Sequence, residues 1–538
     1  MSLIAREVIA FAKTHPVLFT TNTLLSLTFP IDDILIPFLL GSIISKIEKK
    51  SDWMKPLIIL ISIMLTMQVV YTLTYLHDAH LIPKLENFIK HRMIESFANA
   101  YEGRPLDVNT GELMSRFTKI PLTITSFYES IKNWMIPYTL SFAITATILM
   151  RYDLKIGSIV MISAIIIFTF IFTSHASCGK FSTQQEQTQS DIDEEVDDII
   201  HNLPNIYTAN SMQTELNRLS MFESKYNHAY QDTIKCIMKK RGICTIVLAA
   251  MVISVIVLIN KGLKNKTLTT GVIITILTII IQWFGTLGWM VGSMRSTVIN
   301  WGIISSFKLP SPASSKLQAP EYVNNNDKLL ITDLTYSVGS KTIINHLNMT
   351  VNYKERVAIV GEIGSGKSTL LKLIAGLYTP TSGNIYLNGI DISTIPKRVL
   401  TQKIAYVPQN PNLFNRTIIE NIKYGSDVDD ITVIKLINEL GIADAFPQST
   451  DTKVGKGGTN LSGGQRQIVV ALRAMFQNPE VLILDEVTSS LDPQTKQKLF
   501  KVLDRLCQDK TVILVTHDKD LLKFATRVVH MHEGRLVQ

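Results

Sequence analysis

The run Gly361-Glu362-Ile363-Gly364-Ser365-Gly366-Lys367-Ser368 has the G-x-x-x-x-G-K-[ST] spacing of a phosphate-binding loop. Small residues let backbone N–H groups turn inward around a phosphate, at the start of a helix whose dipole favours an anion. Lys367 is placed to reach the β- and γ-phosphates of ATP, the Ser368 hydroxyl to bind Mg²⁺, and Thr369, which opens the helix, to bind the nucleotide beside them. Further along, Val481-Leu482-Ile483-Leu484-Asp485-Glu486 reads as an apolar strand tipped by two carboxylates. Asp485 is placed for the Mg²⁺ shell and Glu486 for polarising an attacking water. A carboxylate pair on a loop is usually only solvated, and a Gly-rich turn can arise by chance. Here the apolar stretch 357–360 precedes the loop and a helical stretch, 369–375, follows it, which is the context the chemistry needs.

These groups need a sheet to hold them. From Leu329 onward short β-rich runs alternate with helical ones, as in an α/β domain with a largely parallel sheet. Arg356–Gly361 and residues 403–407, 481–484 and 511–516 are the expected buried strands. Residues 305–328, with Pro310, Pro312, Pro320 and three consecutive asparagines, read as a linker.

The N-terminal part has another texture. Of the 538 residues 46% are apolar and 18% charged, below the ~25% charged share of soluble domains, and mean hydropathy is +0.21. Apolar runs at 17–45, 57–76, 134–150, 156–174, 243–259 and 271–294 are each at or near the ~17–25 residues that cross a bilayer. Two long polar connections, 77–133 and 175–242, are rich in helix formers and read as helical hairpins extending into water. The expected architecture is a helical membrane domain (six transmembrane helices with long cytosolic extensions) at 1–304, the linker, and an α/β P-loop NTPase at 329–538. The net charge of +8 is scattered among acids, so no nucleic-acid partner is expected. Cys178, Cys236, Cys244 and Cys507 show no metal-ligand spacing and are expected as free thiols in a reducing compartment.

Three further segments complete a pattern: Tyr406-Val407-Pro408-Gln409, then Leu461-Ser462-Gly463-Gly464-Gln465, then Thr516-His517-Asp518 after the last strand. With the phosphate loop and the acidic strand they closely resemble, in order, the nucleotide-binding domain of the ATP-binding cassette (ABC) family. The resemblance covers 329–538. It implies that Gln409 joins Mg²⁺ and transmits movement, and that Ser462, Gly463, Gly464 and Gln465 close over the γ-phosphate of an opposite subunit. It further implies that Glu486 is the general base, Asp492 a dimer-interface aspartate and His517 a γ-phosphate switch. The membrane half resembles an exporter-type half-transporter, with coupling segments at 109–117 and 202–216. The implied protein is a dimeric, multi-pass exporter in a lipid bilayer, a homodimer in preference to a heterodimer. Its cassette lies on the ATP-containing, cytosolic side, and its cargo is not legible. The competing reading is a membrane-anchored ATPase that regulates or gates without transporting.

The sequence departs from that family in places. Val338 aligns where an aromatic stacks on adenine, with Tyr336 two residues earlier, and Lys456 stands where the family carries Glu. The short loops carry Lys46, Lys49, Lys50, Lys55, Arg151, Lys155, Lys261, Lys264 and Lys266. The positive-inside rule would put them in the cytosol, against the orientation that ATP binding requires. Asp32 and Asp33 interrupt the first span. They either line a cavity for cationic cargo or sit in headgroup water where Pro30 breaks the helix near its outer end.

Overall fold

Two prolines punctuate the start of the chain. The computed structural model describes residues 3–103, 110–306, 328–446, 450–489 and 491–537. Helix α1 (Leu3–Thr14) is followed by α2 (Pro16–Ser26) and α3 (Pro30–Glu48). Pro16 and Pro30 each open a helix, where the missing N–H is no loss. The first apolar run is therefore two helices broken at 27–29. The break falls within the apolar segment Pro16–Glu48, between helices of 11 and 19 residues. Asp32 and Asp33 lie in the first turn of α3, where the helix dipole favours carboxylates.

Next comes α4 (Met54–Ala100), 47 residues long, or roughly 70 Å. That exceeds the ~30 Å hydrocarbon core, so its polar half continues past it as a rod. Helix α5 (Thr110–Ser130) passes through a π turn (Ile131–Met135) into α6 (Ile136–Tyr152). Asp153 then caps α7 (Leu154–His201) by accepting from the N–H groups of Lys155 and Ile156. The short α8 (Leu203–Ala209) leads to α9 (Met212–Lys264) and α10 (Thr270–Ser306). Among the described residues five helical segments are long and apolar enough to cross a membrane: Pro16–Glu48, α4, α7, α9 and α10. The expected sixth span at 134–150 falls on the end of the π turn and on α6, whose 17 residues are not among these five. Ala146, Leu149, Ile156, Val160, Ile167, Met251, Val255, Ile276 and Ile279 form the buried seam of this unit.

The cysteine expectation is corrected here. Antiparallel packing of α7 on α9 brings Cys178 and Cys236 to a Cα separation of 5.8 Å, and they form a disulfide. Cys244 and Cys507 are free and buried. Spacing along the chain could not show a pairing made between two long helices.

The chain divides into two units: residues 1–98 with 107–311, and residues 99–106 with 312–538. In the second, β1 (Leu329–Val338), β2 (Lys341–Val351), β4 (Ser382–Leu387) and β5 (Ile390–Asp391) make an antiparallel sheet. The other sheet has the order β10-β9-β3-β8-β7-β6. Its strands are β3 (Arg356–Gly361), β6 (Ile404–Val407), β7 (Val481–Asp485), β8 (Thr511–Val515), β9 (Arg527–His532) and β10 (Arg535–Val537). All pair in parallel except β9 with β10. The four strands expected from sequence are β3, β6, β7 and β8. Around them pack α11 (Lys367–Ile374), α12 (Lys397–Lys403), α13 (Ile418–Ile422), α14 (Asp430–Glu439), α15 (Gly463–Gln477), α16 (Pro493–Leu506) and α17 (Lys519–Leu522). Most of the expected linker, and Asn109 of the first expected coupling segment, lie outside the described residues. Within the second unit the carbonyl of Gly103 accepts from the Thr379 N–H at 2.9 Å.

Glu480, just before β7, ties three strand ends of the second unit together. Its carboxylate accepts from Lys403 at 2.7 Å, from Asn388 at 3.0 Å and from Lys328. Burial works to raise its pKa, but the hydrogen bonds from Lys328, Lys403 and Asn388 prevail and hold it down from 4.5 to about 2. A depressed carboxylate stabilises the fold above its unfolded pKa and stops doing so as pH falls through the folded value. Glu480→Gln therefore lowers the melting temperature of the full chain at neutral pH. The gap to the unsubstituted chain closes as pH drops from 4.5 toward 2; a gap that is flat across that window would overturn the assignment.

Candidate functional site

The phosphate loop joins the end of β3 to α11. Gly366 sits at φ 102°, and a Cβ there would come within 3.0 Å of the Ile343 carbonyl oxygen, so only glycine is accommodated without movement. Lys367 is buried and its Nζ donates to the carbonyls of Gly361 at 2.8 Å and Glu362 at 2.7 Å. The Ser365 hydroxyl is buried and has no partner among the described residues. A buried donor left unpaired is costly, and a phosphate oxygen is the kind of acceptor that would satisfy it.

β7 delivers the two acids. Asp485 is buried, accepting from Ser368 Oγ at 3.0 Å and from the Tyr406 hydroxyl at 2.8 Å. Burial first, and the Asp485 charge second, push the Tyr406 phenol well above its usual range, so it remains a donor. Glu486 takes a left-handed backbone, φ 46°, a strain of about 1–3 kcal/mol for such a residue. Its own N–H is held by the Val515 carbonyl at 2.9 Å. The strained turn sends its carboxylate away from β7, where it accepts from Gln409 Nε2 at 2.6 Å and lies 4.0 Å from His517 Nε2.

Gly364, Gly366, Lys367, Ser368, Thr369, Gln409 and Glu486 border one open cleft of about 710 Å³. Glu533, Gly534 and the Lys341–Ile343 edge close its other side. Of the expected site residues, Gln409, Glu486 and His517 are thus brought together, and Ser368 and Asp485 form a second cluster beside them. The Leu461–Gln465 segment and Asp492 do not border this cleft. Ser462 caps α15 in a reciprocal pair with Gln465, whose Nε2 also holds the Ala445 carbonyl at 2.9 Å. Gly464 is needed for close approach, since a Cβ there would fall 2.2 Å from Thr495 Cγ2. Asp492 caps α16, and its hydrogen bonds with Thr495 hold its carboxyl below the usual range.

Sequence reasoning passed over two residues. In the sequence Tyr406 is only part of a segment, whereas in the structure its hydroxyl donates to Asp485 and orients it. Gln467 is buried in α15, and its Nε2 bridges the carbonyls of Pro408 at 3.0 Å and Gln409 at 2.6 Å, setting the loop that carries Gln409. The available signal was an amide on an otherwise apolar helix face. The second expected coupling segment contains α8, with Ile206 buried. Lys456 is exposed in a 3₁₀ turn.

Tyr336 faces inward. It is 6% exposed and stacks on Tyr378 with ring centroids 5.6 Å apart, whereas Val338 is 48% exposed. Tyr336 is therefore committed to the core. Val338→Tyr is expected to tighten ATP binding by several-fold, the scale of ~1 kcal/mol for one aromatic contact. Equilibrium nucleotide binding on the full chain tests this, and unchanged affinity would show that the base does not pass Val338.

Residues 344–489 match the family model described as ABC transporter. The chain is 39% identical over 200 residues to ABC transporter B family member 14 of Arabidopsis thaliana, covering 36% of this chain and 16% of that one. It is 32% identical over 241 residues to an ATP-dependent lipid A-core flippase of Neisseria meningitidis, covering 44% and 39%. The matched stretch therefore spans well under half the length of these relatives. Among solved structures, a bacterial Atm1-family ABC exporter with ATP bound superposes with TM-score 0.86 at 20% identity, covering 100% of this chain and 95% of that one. Residues 344–489 of the C-terminal unit thus match the ABC transporter family model, and the chain shares the fold of that ABC exporter.

Proposed function

We propose that two copies of this chain form an exporter that couples ATP hydrolysis to movement of a substrate across a bilayer. The observation that carries this reading is the convergence of Lys367, Ser368, Gln409, Glu486 and His517 on the nucleotide cleft and its edge. We assign 1–304 to the membrane, 305–328 to the linker and 329–538 to the cassette, the cassette on the cytosolic side where ATP is available.

Lys367 lies beside the loop carbonyls that it would leave for the β- and γ-phosphates. Ser368, Asp485 and Gln409 offer hydroxyl, carboxylate and amide oxygens, a hard donor set that suits Mg²⁺. When bound, that ion neutralises charge on the phosphate oxygens. Glu486 takes a proton from water as the water oxygen bonds to the γ-phosphorus. The bond from that phosphorus to the bridging oxygen breaks, leaving ADP and phosphate. His517 donates to the departing phosphate. A cleft open on one side cannot exclude bulk water, and its own chain's Ser462–Gln465 does not close it. A second copy presenting Ser462, Gly463, Gly464 and Gln465, with Asp492 at the junction, would do so.

The test is the mass of the detergent-solubilised chain with Mg²⁺ and a slowly hydrolysed ATP analogue. Two copies per particle are expected, and a particle that stays monomeric overturns the reading. In inverted vesicles, cargo accumulation that needs hydrolysable nucleotide separates export from regulation.

A further inference from the structure

Outside the nucleotide cleft, the membrane unit contains a second site-like arrangement. Asp33, Trp134, Tyr138, Gln282 and Trp289 line a cleft of about 310 Å³. Trp134 stacks on Tyr138 at 5.6 Å and lies 4.1 Å from Trp289, centroid to centroid. The acids beside these rings differ in their partners. Asp32 accepts from the Tyr71 hydroxyl at 2.5 Å. Asp33 has no lysine, arginine or histidine paired with it among the described residues. Gln282 adds a buried Oε1 that has no hydrogen-bond partner among the described residues. Gly285 leaves the wall open, since a Cβ there would meet nothing within 4 Å.

An aromatic cluster, a carboxylate without a counter-ion and an unpaired amide oxygen share one chemistry. Ring faces attract a cation through their quadrupole. A carboxylate in a membrane segment needs water or a partner of opposite charge. An orphaned acceptor calls for an N–H donor. Depth agrees. Roughly 18–28 Å of helix separates Tyr71, Trp134, Tyr138, Gln282 and Trp289 from the short connections at which α4 and α10 begin and α6 ends. That is within one ~30 Å hydrocarbon thickness and toward the side of the long extensions. A ligand with a charged head and an apolar body fits that level.

We infer that this cleft binds an organic ammonium ion, a protonated amine on an aromatic or aliphatic body. Asp33 is its counter-ion, Gln282 Oε1 accepts its N–H, and Trp134, Tyr138 and Trp289 form its cage. This rests on the export reading and names the class of cargo the exporter takes up.

The test uses the full chain in lipid nanodiscs, with radiolabelled N,N-dimethylbenzylammonium and its neutral carbon isostere, isobutylbenzene, in equilibrium dialysis. The unsubstituted protein is expected to retain the cation above an empty-nanodisc control and to show no such excess for the isostere. Asp33→Asn is expected to weaken the cation about tenfold, Asp33→Glu to restore most of it, and Trp289→Ala to cost several-fold. Equal retention of both probes by the unsubstituted protein overturns the inference, even where a variant fails to fold. Cation affinity unchanged in Asp33→Asn overturns it as well. ATP turnover on the same preparation scores the export reading separately: turnover without cation preference removes only the cargo assignment, and cation preference without turnover removes only the export reading.

Discussion

Glu486→Gln slows ATP turnover by about 10²–10⁴, the usual worth of a general base, while nucleotide affinity stays within a few-fold. The substitution removes a proton acceptor and little else. A glutamine at this position still offers an oxygen to Gln409 Nε2, which now donates to Glu486 Oε2 at 2.6 Å. It also keeps the backbone bond to Val515 that holds the strained turn. The groups proposed to hold phosphate, Lys367 and the loop amides, are untouched. Single-turnover kinetics beside equilibrium binding separates the two quantities. Near-normal turnover would remove Glu486 from the reaction and leave the 4.0 Å approach of His517 without a catalytic meaning.

Lys367→Ala acts on the other quantity. The Lys367 ammonium is buried and hydrogen-bonded to two loop carbonyls, so its charge is held at the loop mouth where phosphates would lie. A hydrogen bond to a charged group is worth about 1.5–3 kcal/mol, which makes a loss of at least tenfold in ATP affinity the expected result. A fluorescent nucleotide titration measures it. An unchanged dissociation constant would mean that Lys367 does not reach the phosphates, and its assignment as the phosphate-loop lysine would fall.

The two predictions draw on different kinds of information. Asp485 and Glu486 are readable in one dimension because they sit at the tip of a short apolar strand, and Lys367 and Ser368 because they open the helix after another, the strand–loop–helix order dictating where both point. β3, β6, β7 and β8 fall on the runs expected for them, since a strand buried on both faces leaves a near-continuous apolar signature. Tyr406 and Gln467 do not announce themselves, because their partners are a carboxylate and two backbone carbonyls far along the chain. Their roles exist only once β6 lies beside β7 and α15 packs across the loop.

The membrane half divides in the same way. Hydropathy located its apolar runs, because a bilayer demands length and apolar composition within one segment. The pairing of Cys178 with Cys236, and the gathering of Asp33 with Trp134 and Trp289, link residues on separate helices. Local sequence thus determined which segments are strands, rods and phosphate loop, as those properties are set by neighbours a few residues away. Tertiary structure decided which side chains share a cleft, whether Tyr336 or Val338 is exposed, and which thiols meet. Such contacts depend on distances in space that no spacing along a chain encodes.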